Sequence, residues 1–206
     1  SYQDPCLFSS FKRLYMFASP FTKNKIYVDR TRVCPISAEQ AISWGYTGPC
    51  LRATGVNYDI RKANPYYFYK DVEFEIPVGK NGDNYDRYLV RMEEMRQSLR
   101  IVNQVLNNLP SGPYQSLDKR VCIPPKKEVY TNIEGLMNHF MLVMKGVRPS
   151  VGEIYSATEA ANGELGFYVI SDGGSNPYRV KVRPPCFAIY QSFSEIVQDH
   201  MISDAI

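Results

Sequence analysis

A chain of 206 residues with a formal net charge of +3, 44% hydrophobic and 22% charged residues, can bury a substantial core and has an ordinary globular composition. So small a net charge excludes any argument from charge alone for a nucleic-acid partner or an anionic membrane surface. The five cysteines, at positions 6, 34, 50, 122 and 186, are odd in number and show no paired metal-ligand spacing, which predicts a reduced cytosolic chain.

The first stretch, Ser1 to Val33, carries a basic amphipathic segment interrupted at Pro20, predicting a helix and then an irregular run. Ser37 with Gln40 forms a capping box, and Gly45 stops the short helix that it opens. The Gly-, Pro-, Asn- and Tyr-rich stretch from Tyr46 to Asp71 predicts a long ordered connection. "VEFEIPV" then alternates as a strand does, with Pro77 marking an edge or an end.

Asp83 is a good N-cap, and Asp86 adds negative charge to the first turn of a long helix. Tyr85, Leu89, Met92, Leu99, Val102, Leu106 and Leu109 recur at helical steps along a rod of roughly 40 Å. Arg87, Arg91, Glu94, Arg96 and Arg100 fall mostly off this stripe, predicting a solvated or partner-facing side. The Pro- and Lys-rich stretch at 110–128 predicts a flexible surface connection. Thr131 with Glu134 predicts a second capping box ahead of "LMNHFMLVMKG", whose apolar residues wrap most of the helix and predict burial. Ser192 with Glu195 predicts a third, opening an apolar helix through Met201 and Ile202 toward Ala205 and Ile206. Its abrupt end predicts a fragment of a longer chain. No charged-then-apolar leader is read. Apolar runs such as Phe140–Met144 fall far short of the roughly 20 residues that span a bilayer, so any membrane role is expected to come through partners.

The catalytic negatives are informative. The two histidines, His139 and His200, stand on different predicted helices, with no two-His-plus-carboxylate zinc spacing. Neither G-x-G-x-x-G after a strand nor G-x-x-x-x-G-K-[ST] occurs, so the usual backbone cradles for dinucleotide and nucleotide phosphates are missing. No local motif supports a Cys–His nucleophile.

What remains is the stretch Gly163–Pro185. Leu165, Phe167 and Val169 alternate with Tyr168 and Ile170, Asp172 to Pro177 supply turn residues, and "YRVKVR" returns as a strand. Alternation places Arg179, Lys181 and Arg183 on one face, with Val180 and Val182 on a core face. Such a row is either an edge strand whose cations deter aggregation or a charged wall facing a partner, an acidic loop or a cavity.

"LRATGVNYDIRKANPY", "IPVGKNGDNYDRYLVRMEEMRQSLRIV", "GEIYSATEAANGELGFYVISDGGSNPYRVKVRPP" and "SDAI", in that order, resemble the carboxy-terminal half of the D-type subunit of NADH-quinone oxidoreductase, respiratory complex I. That protein is similar in turn to the large subunit of nickel–iron hydrogenases. The resemblance implies a mixed α+β, helix-rich, hydrogenase-like fold, with long helices packed on a small antiparallel hairpin. It also implies a single domain over residues 1–206 that is part of a larger subunit.

The whole subunit would form a quinone cavity with a small iron–sulfur neighbour that carries the terminal four-iron cluster. NADH would bind to another subunit, and this chain would hold no cofactor or metal of its own. Other complex I subunits are the implied partners, nucleic acid is not, and the place is peripheral, on the cytoplasmic or matrix side of the energy-transducing membrane. The head-group ligands of the family lie outside this chain, so no catalytic residue is carried over and the fragment alone is expected to be inactive.

What carries over is a supporting ion-pair network at the cavity wall, with Gly163, Glu164, Asp172, Arg179, Lys181 and Arg183 matching the family pattern. Asn162 departs from it, standing where most members have Arg. Two rivals remain: the large subunit of a membrane-bound energy-converting hydrogenase, marked by Cys-x-x-Cys pairs, and a purely docking fragment. An exposed apolar face is also expected, because the resemblance covers only half of a subunit.

Overall fold

A computed structural model describes Ser9, Lys12, Met16, residues 22–116 and residues 118–201. Most of the amphipathic first segment, its break at Pro20, Cys6 and the closing "SDAI" lie outside the described residues. Nine helices and one three-stranded sheet are formed among the described residues. The fold is therefore mixed and helix-rich, with a small antiparallel sheet. The chain divides into two compact units, one made of residues 1–109, 157–166 and 183–206, the other of 110–156 and 167–182.

In the first unit, α1 (Lys25–Thr31) lies where an irregular run was expected. Asn24 accepts from the Ile26 N–H at 3.0 Å and supplies the missing start signal. The capping box forms as read: Ser37 and Gln40 bond each other's backbone N–H, and α2 (Ala38–Ser43) ends just before Gly45 at φ +73°. The stretch expected to be a connection contains α3 (Pro49–Ala53) and α4 (Ile60–Ala63). Every residue of α3 is buried, and Cys50 and Leu51 join Ile36, Ala41 and Tyr46 in the core, with Trp44, Val56, Ile189 and Ile196 packed around them.

The long helix α5 (Asn84–Asn107) starts as predicted, Asp83 accepting from the Asp86 N–H at 2.7 Å. Toward its carboxyl end the apolar stripe is exposed at Val102 and Leu106, and Leu109, just beyond the helix, is exposed as well. "VEFEIPV" is extended but pairs with no strand. The N–H groups of Glu73 and Glu75 donate instead to the side-chain amides of Gln104 and Gln97 on α5, at 3.0 and 3.1 Å. A period-two pattern reports extended backbone, and here a helix supplies the acceptors that a second strand would otherwise supply.

The helix expected from Phe193 to Ile206 is also shorter. α8 (Pro185–Gln191) is followed by α9 (Phe193–Ile196), and Asp199 takes φ +64° beyond it. Ser192 is buried and makes no cap: its hydroxyl donates to the Ile189 carbonyl at 2.8 Å and shares a bond with the Tyr46 hydroxyl. A carbonyl one turn back and a distant phenol have taken the group that a cap would have used.

In the second unit, α6 (Lys126–Thr131) and α7 (Ile133–Lys145) pack as a pair. Thr131 ends α6 and donates to the Lys127 carbonyl, so Asn132, accepting from the Glu134 N–H, caps α7 in place of the expected box. Of the residues of α7 only Gly135 is buried, whereas Ile133, Met137, Phe140, Val143 and Met144 are exposed, contrary to the buried helix expected. The strands are β1 (Gly152–Ala160), which was not expected as an element, β2 (Gly163–Ser171) and β3 (Arg179–Arg183), in the order β1-β2-β3. β3 is thus an edge strand. Residues 157–166 and 183 of this sheet group with the first unit, and its remaining residues with the second.

Candidate functional site

The turn after β1 returns the chain through Asn162 and Gly163 onto the segment that leads into α3. Gly163 takes φ +132° and Gly48 takes φ +67°, both in the region that favours glycine. A Cβ on Gly163 would lie 2.5 Å from Thr47 Oγ1 and 2.8 Å from the Thr47 carbonyl, and a Cβ on Gly48 would collide with the Gly163 backbone. Two backbones therefore meet here without side chains between them. Thr47 Oγ1 accepts from the Glu164 N–H at 3.1 Å, which fixes where β2 begins.

Arg183, the last residue of β3, closes the same junction. Its Nη1 donates to the Glu164 carbonyl and its Nη2 to the Gly45 carbonyl, each at 3.0 Å, and Nη1 stands 3.6 Å from the Glu164 carboxylate. Asn162 donates to Cys186 Sγ at 3.2 Å. Four of the residues singled out by sequence, Asn162, Gly163, Glu164 and Arg183, thus come together in the first unit.

The other three belong to the second unit. Asp172 accepts from the Gly174 N–H at 2.9 Å in a turn, and Arg179 and Lys181 are exposed on β3. Val180 and Val182, expected on a core face, are exposed as well. The alternation is real, but β3 separates Arg183 from the other two cations by burial rather than by face.

A cavity of about 410 Å³ lies in the first unit. Cys34, Cys50, Cys186, Tyr46, Arg87 and Arg91 are among its lining residues, with Ile189, Tyr190 and Phe193 on its apolar side. Arg87, expected on a solvated or partner-facing side, donates to the carbonyls of Cys34 and Gly82, each at 2.9 Å. Arg91 Nη2 approaches Cys50 Sγ at 3.7 Å. Burial pushes the Tyr46 phenol up from its ordinary value, against the opposing bond from Ser192. The wall of this cavity can offer cationic and thiol donors beside aromatic surface. Among the described residues no His, Cys, Asp or Glu group is arranged to hold a metal ion.

A second cluster was not foreseen as a unit. Arg52, whose side chain is 1% exposed, reaches Glu94 on α5 at 2.5 Å, Glu159 on β1 at 3.0 Å and Asp59 at 3.5 Å. Its Nη1 also donates to the Tyr58 carbonyl. Asp59, at 0% exposure, is gripped by Arg61 through Nε and Nη2 and accepts the Arg61 backbone N–H as well. Arg61 lies over the rings of Phe74 and Tyr69, at 4.8 and 5.7 Å. Burial opposes the charge on Asp59, but Arg61 outweighs it and holds the carboxyl below its ordinary value. For Glu94 and Glu159 burial wins over the attraction of Arg52, and both are pushed up. The available signal was the charge density of "GVNYDIRK". Spacing could not reveal partners 42 and 107 residues away.

A sequence model of the family described as "Respiratory-chain NADH dehydrogenase, 49 Kd subunit" matches residues 6–206. The chain is 67% identical to a C/D-type subunit of NADH-quinone oxidoreductase from Bdellovibrio bacteriovorus, over 89% of this chain and 33% of that one. It is 55% identical to the D-type subunit of the same enzyme from Myxococcus xanthus, over 90% of this chain and 45% of that one. With the D-type subunit from Leptospira biflexa the identity is 51%, over 92% and 47%. The chain thus spans between a third and about half of the length of these relatives.

Proposed function

Because the chain belongs to the family of the 49 kDa subunit of respiratory-chain NADH dehydrogenase, we propose that it forms part of the quinone-reducing core of a proton-pumping NADH:quinone oxidoreductase. Its place would be the wall of the quinone cavity, beside the small iron–sulfur subunit, in a hydrogenase-like fold. NADH and the four-iron cluster would be held by other subunits, and this chain alone would be inactive. As part of the complex, this chain would sit peripherally on the cytoplasmic or matrix side of the energy-transducing membrane; among the described residues no helix is long and apolar enough to cross a membrane.

One observation carries the reading. The Gly-Glu segment that the resemblance assigns to the cavity wall is a tightly constrained backbone junction of the first unit. Gly163 admits no side chain against Thr47, and Arg183 ties Glu164 to Gly45. Rigid backbone of this kind suits a wall that must position a substrate, since the redox chemistry belongs to the cofactors and the protein supplies placement and electrostatics. Arg183 supplies in this junction the fixed cation that Asn162 does not. Asp172, Arg179 and Lys181 would extend the ion-pair network toward neighbouring subunits.

The test is Arg183→Met in the assembled enzyme. The expected result is quinone reduction slowed by at least tenfold, with NADH oxidation by a hydrophilic artificial acceptor retained. Unchanged quinone reduction would remove Arg183 from the wall. A second reading, in which the second unit serves to dock neighbouring subunits, is favoured by the exposed apolar residues of α7.

A further inference from the structure

Quinone binding at the wall makes no use of the charges around Arg52, the most deeply buried in the first unit. Three carboxylates, Asp59, Glu94 and Glu159, face two guanidinium groups, Arg52 and Arg61. Fully ionised, the cluster would carry one excess negative charge, largely out of water. An uncompensated buried charge is among the costliest arrangements a protein can hold, and a titratable group in that position takes up a proton instead.

Geometry says which carboxyls do so. Asp59 receives two side-chain donors and a backbone N–H from Arg61, with Arg52 Nη1 at 3.5 Å, so its negative charge is fully matched. Glu94 Oε1 accepts from Arg52 Nε at 2.9 Å and Nη2 at 2.5 Å, and Glu159 Oε1 accepts from the same Nη2 at 3.0 Å. Both glutamates thus draw on one guanidinium, whose single positive charge cannot neutralise two carboxylates. Also near the pair are the Tyr58 carbonyl on Arg52, the Tyr58 phenol beside Glu159, the Tyr66 hydroxyl, which accepts the Glu159 N–H at 3.0 Å, and, at longer range, Arg61, already engaged by Asp59. None of these adds a cation beyond the two guanidinium groups already counted.

We propose that the Arg52 cluster is a proton-binding site, in which the carboxyls of Glu94 and Glu159 share one proton that stays bound at neutral pH. The site depends only on the packing of the first unit and stands whether or not the quinone reading does. With the proton bound, α3, α5 and β1 are joined by a neutral cluster. Without it, the same residues hold an excess negative charge beside the core. Burial pushes both glutamates up, the direction that favours a bound proton, while Asp59 is held down. A carboxyl whose value is raised on folding binds more protons folded than unfolded. Its contribution is therefore greatest below the ordinary glutamate range and is lost as pH rises toward the raised value.

Infrared difference spectra of the assembled complex, wild type minus variant at neutral pH, test the site directly. The expected result is a protonated-carboxyl band present in wild type and lost in both Glu94→Gln and Glu159→Gln, because either substitution removes the excess negative charge. The thermal midpoint of each single variant should also fall less than that of wild type between acidic and neutral pH. The double variant leaves two guanidinium groups against one carboxylate and should be less stable than either single variant. A band that survives either substitution, or is lost in only one, overturns the shared proton. Additive effects in the double variant do the same. Heavy-carbon labelling of the glutamates in wild type carries the test without substitution: no shifted protonated-carboxyl band at neutral pH overturns the proposal.

Discussion

The two units differ in what they bury. In the first, the deepest side chains include Arg52 and Asp59 together with Ser192, and all five residues of α3 are inside. In the second, an apolar helix of 13 residues buries only Gly135, with Phe140 and Met144 open to solvent. Hydrophobicity alone would have ranked these segments the other way. The difference teaches that burial follows from where a segment's partners are, because a charge can be buried when its hydrogen bonds are met, and an apolar face stays exposed until something covers it.

The contrast can be broken most directly at Arg52. Arg52→Met should cost about 3–5 kcal/mol, since it leaves buried carboxylates without their cation; thermal or urea unfolding of the full-length protein measures it. A loss below about 1 kcal/mol would mean that water reaches the cluster and that the first unit is not the dry one.

Gly163→Ala comes next. The added Cβ would meet the Thr47 Oγ1 and carbonyl at 2.5 and 2.8 Å, at φ +132°, and strain of this kind costs on the order of 1–3 kcal/mol. Thr47→Ala should relieve part of that cost while giving up the bond to the Glu164 N–H. A double-mutant cycle on unfolding midpoints checks the coupling. Independent, additive effects would show that the junction is looser than its geometry.

The smallest effect is expected on α7. Phe140→Ser, at 58% exposure, should change the stability of the 206-residue chain by no more than about 0.5 kcal/mol. Leu51→Ala in the core of the first unit should cost about 2–5 kcal/mol. If Phe140→Ser instead weakens association with the rest of the complex, measured by co-purification of neighbouring subunits, the docking reading of the second unit is sharpened.

Local chemistry was legible where a residue's partner lies within one turn. The Ser37–Gln40 box, the Asp83 cap, the stop at Gly45 and the turn at Asp172–Gly174 all formed as read, because each is a bond between near neighbours in the chain. The same rule misled at Thr131 and Ser192, where a hydroxyl found a nearer carbonyl or a distant phenol. "VEFEIPV" showed extended backbone but could not show that Gln97 and Gln104 would receive its N–H groups.

Of the candidate site, sequence pattern and family resemblance identified the Gly-Glu turn and its cations. They could not separate Arg183, drawn inward to Gly45 and Glu164, from Arg179 and Lys181, left outside. By itself the sequence determined the helix starts at Ser37 and Asp83, the hairpin and the family, all of which are written in residues close together or in a fixed order. Only the tertiary structure decided that Arg52, Asp59, Glu94 and Glu159 share one buried cluster. Their attraction acts through space, over a few ångströms, between positions that the chain holds far apart.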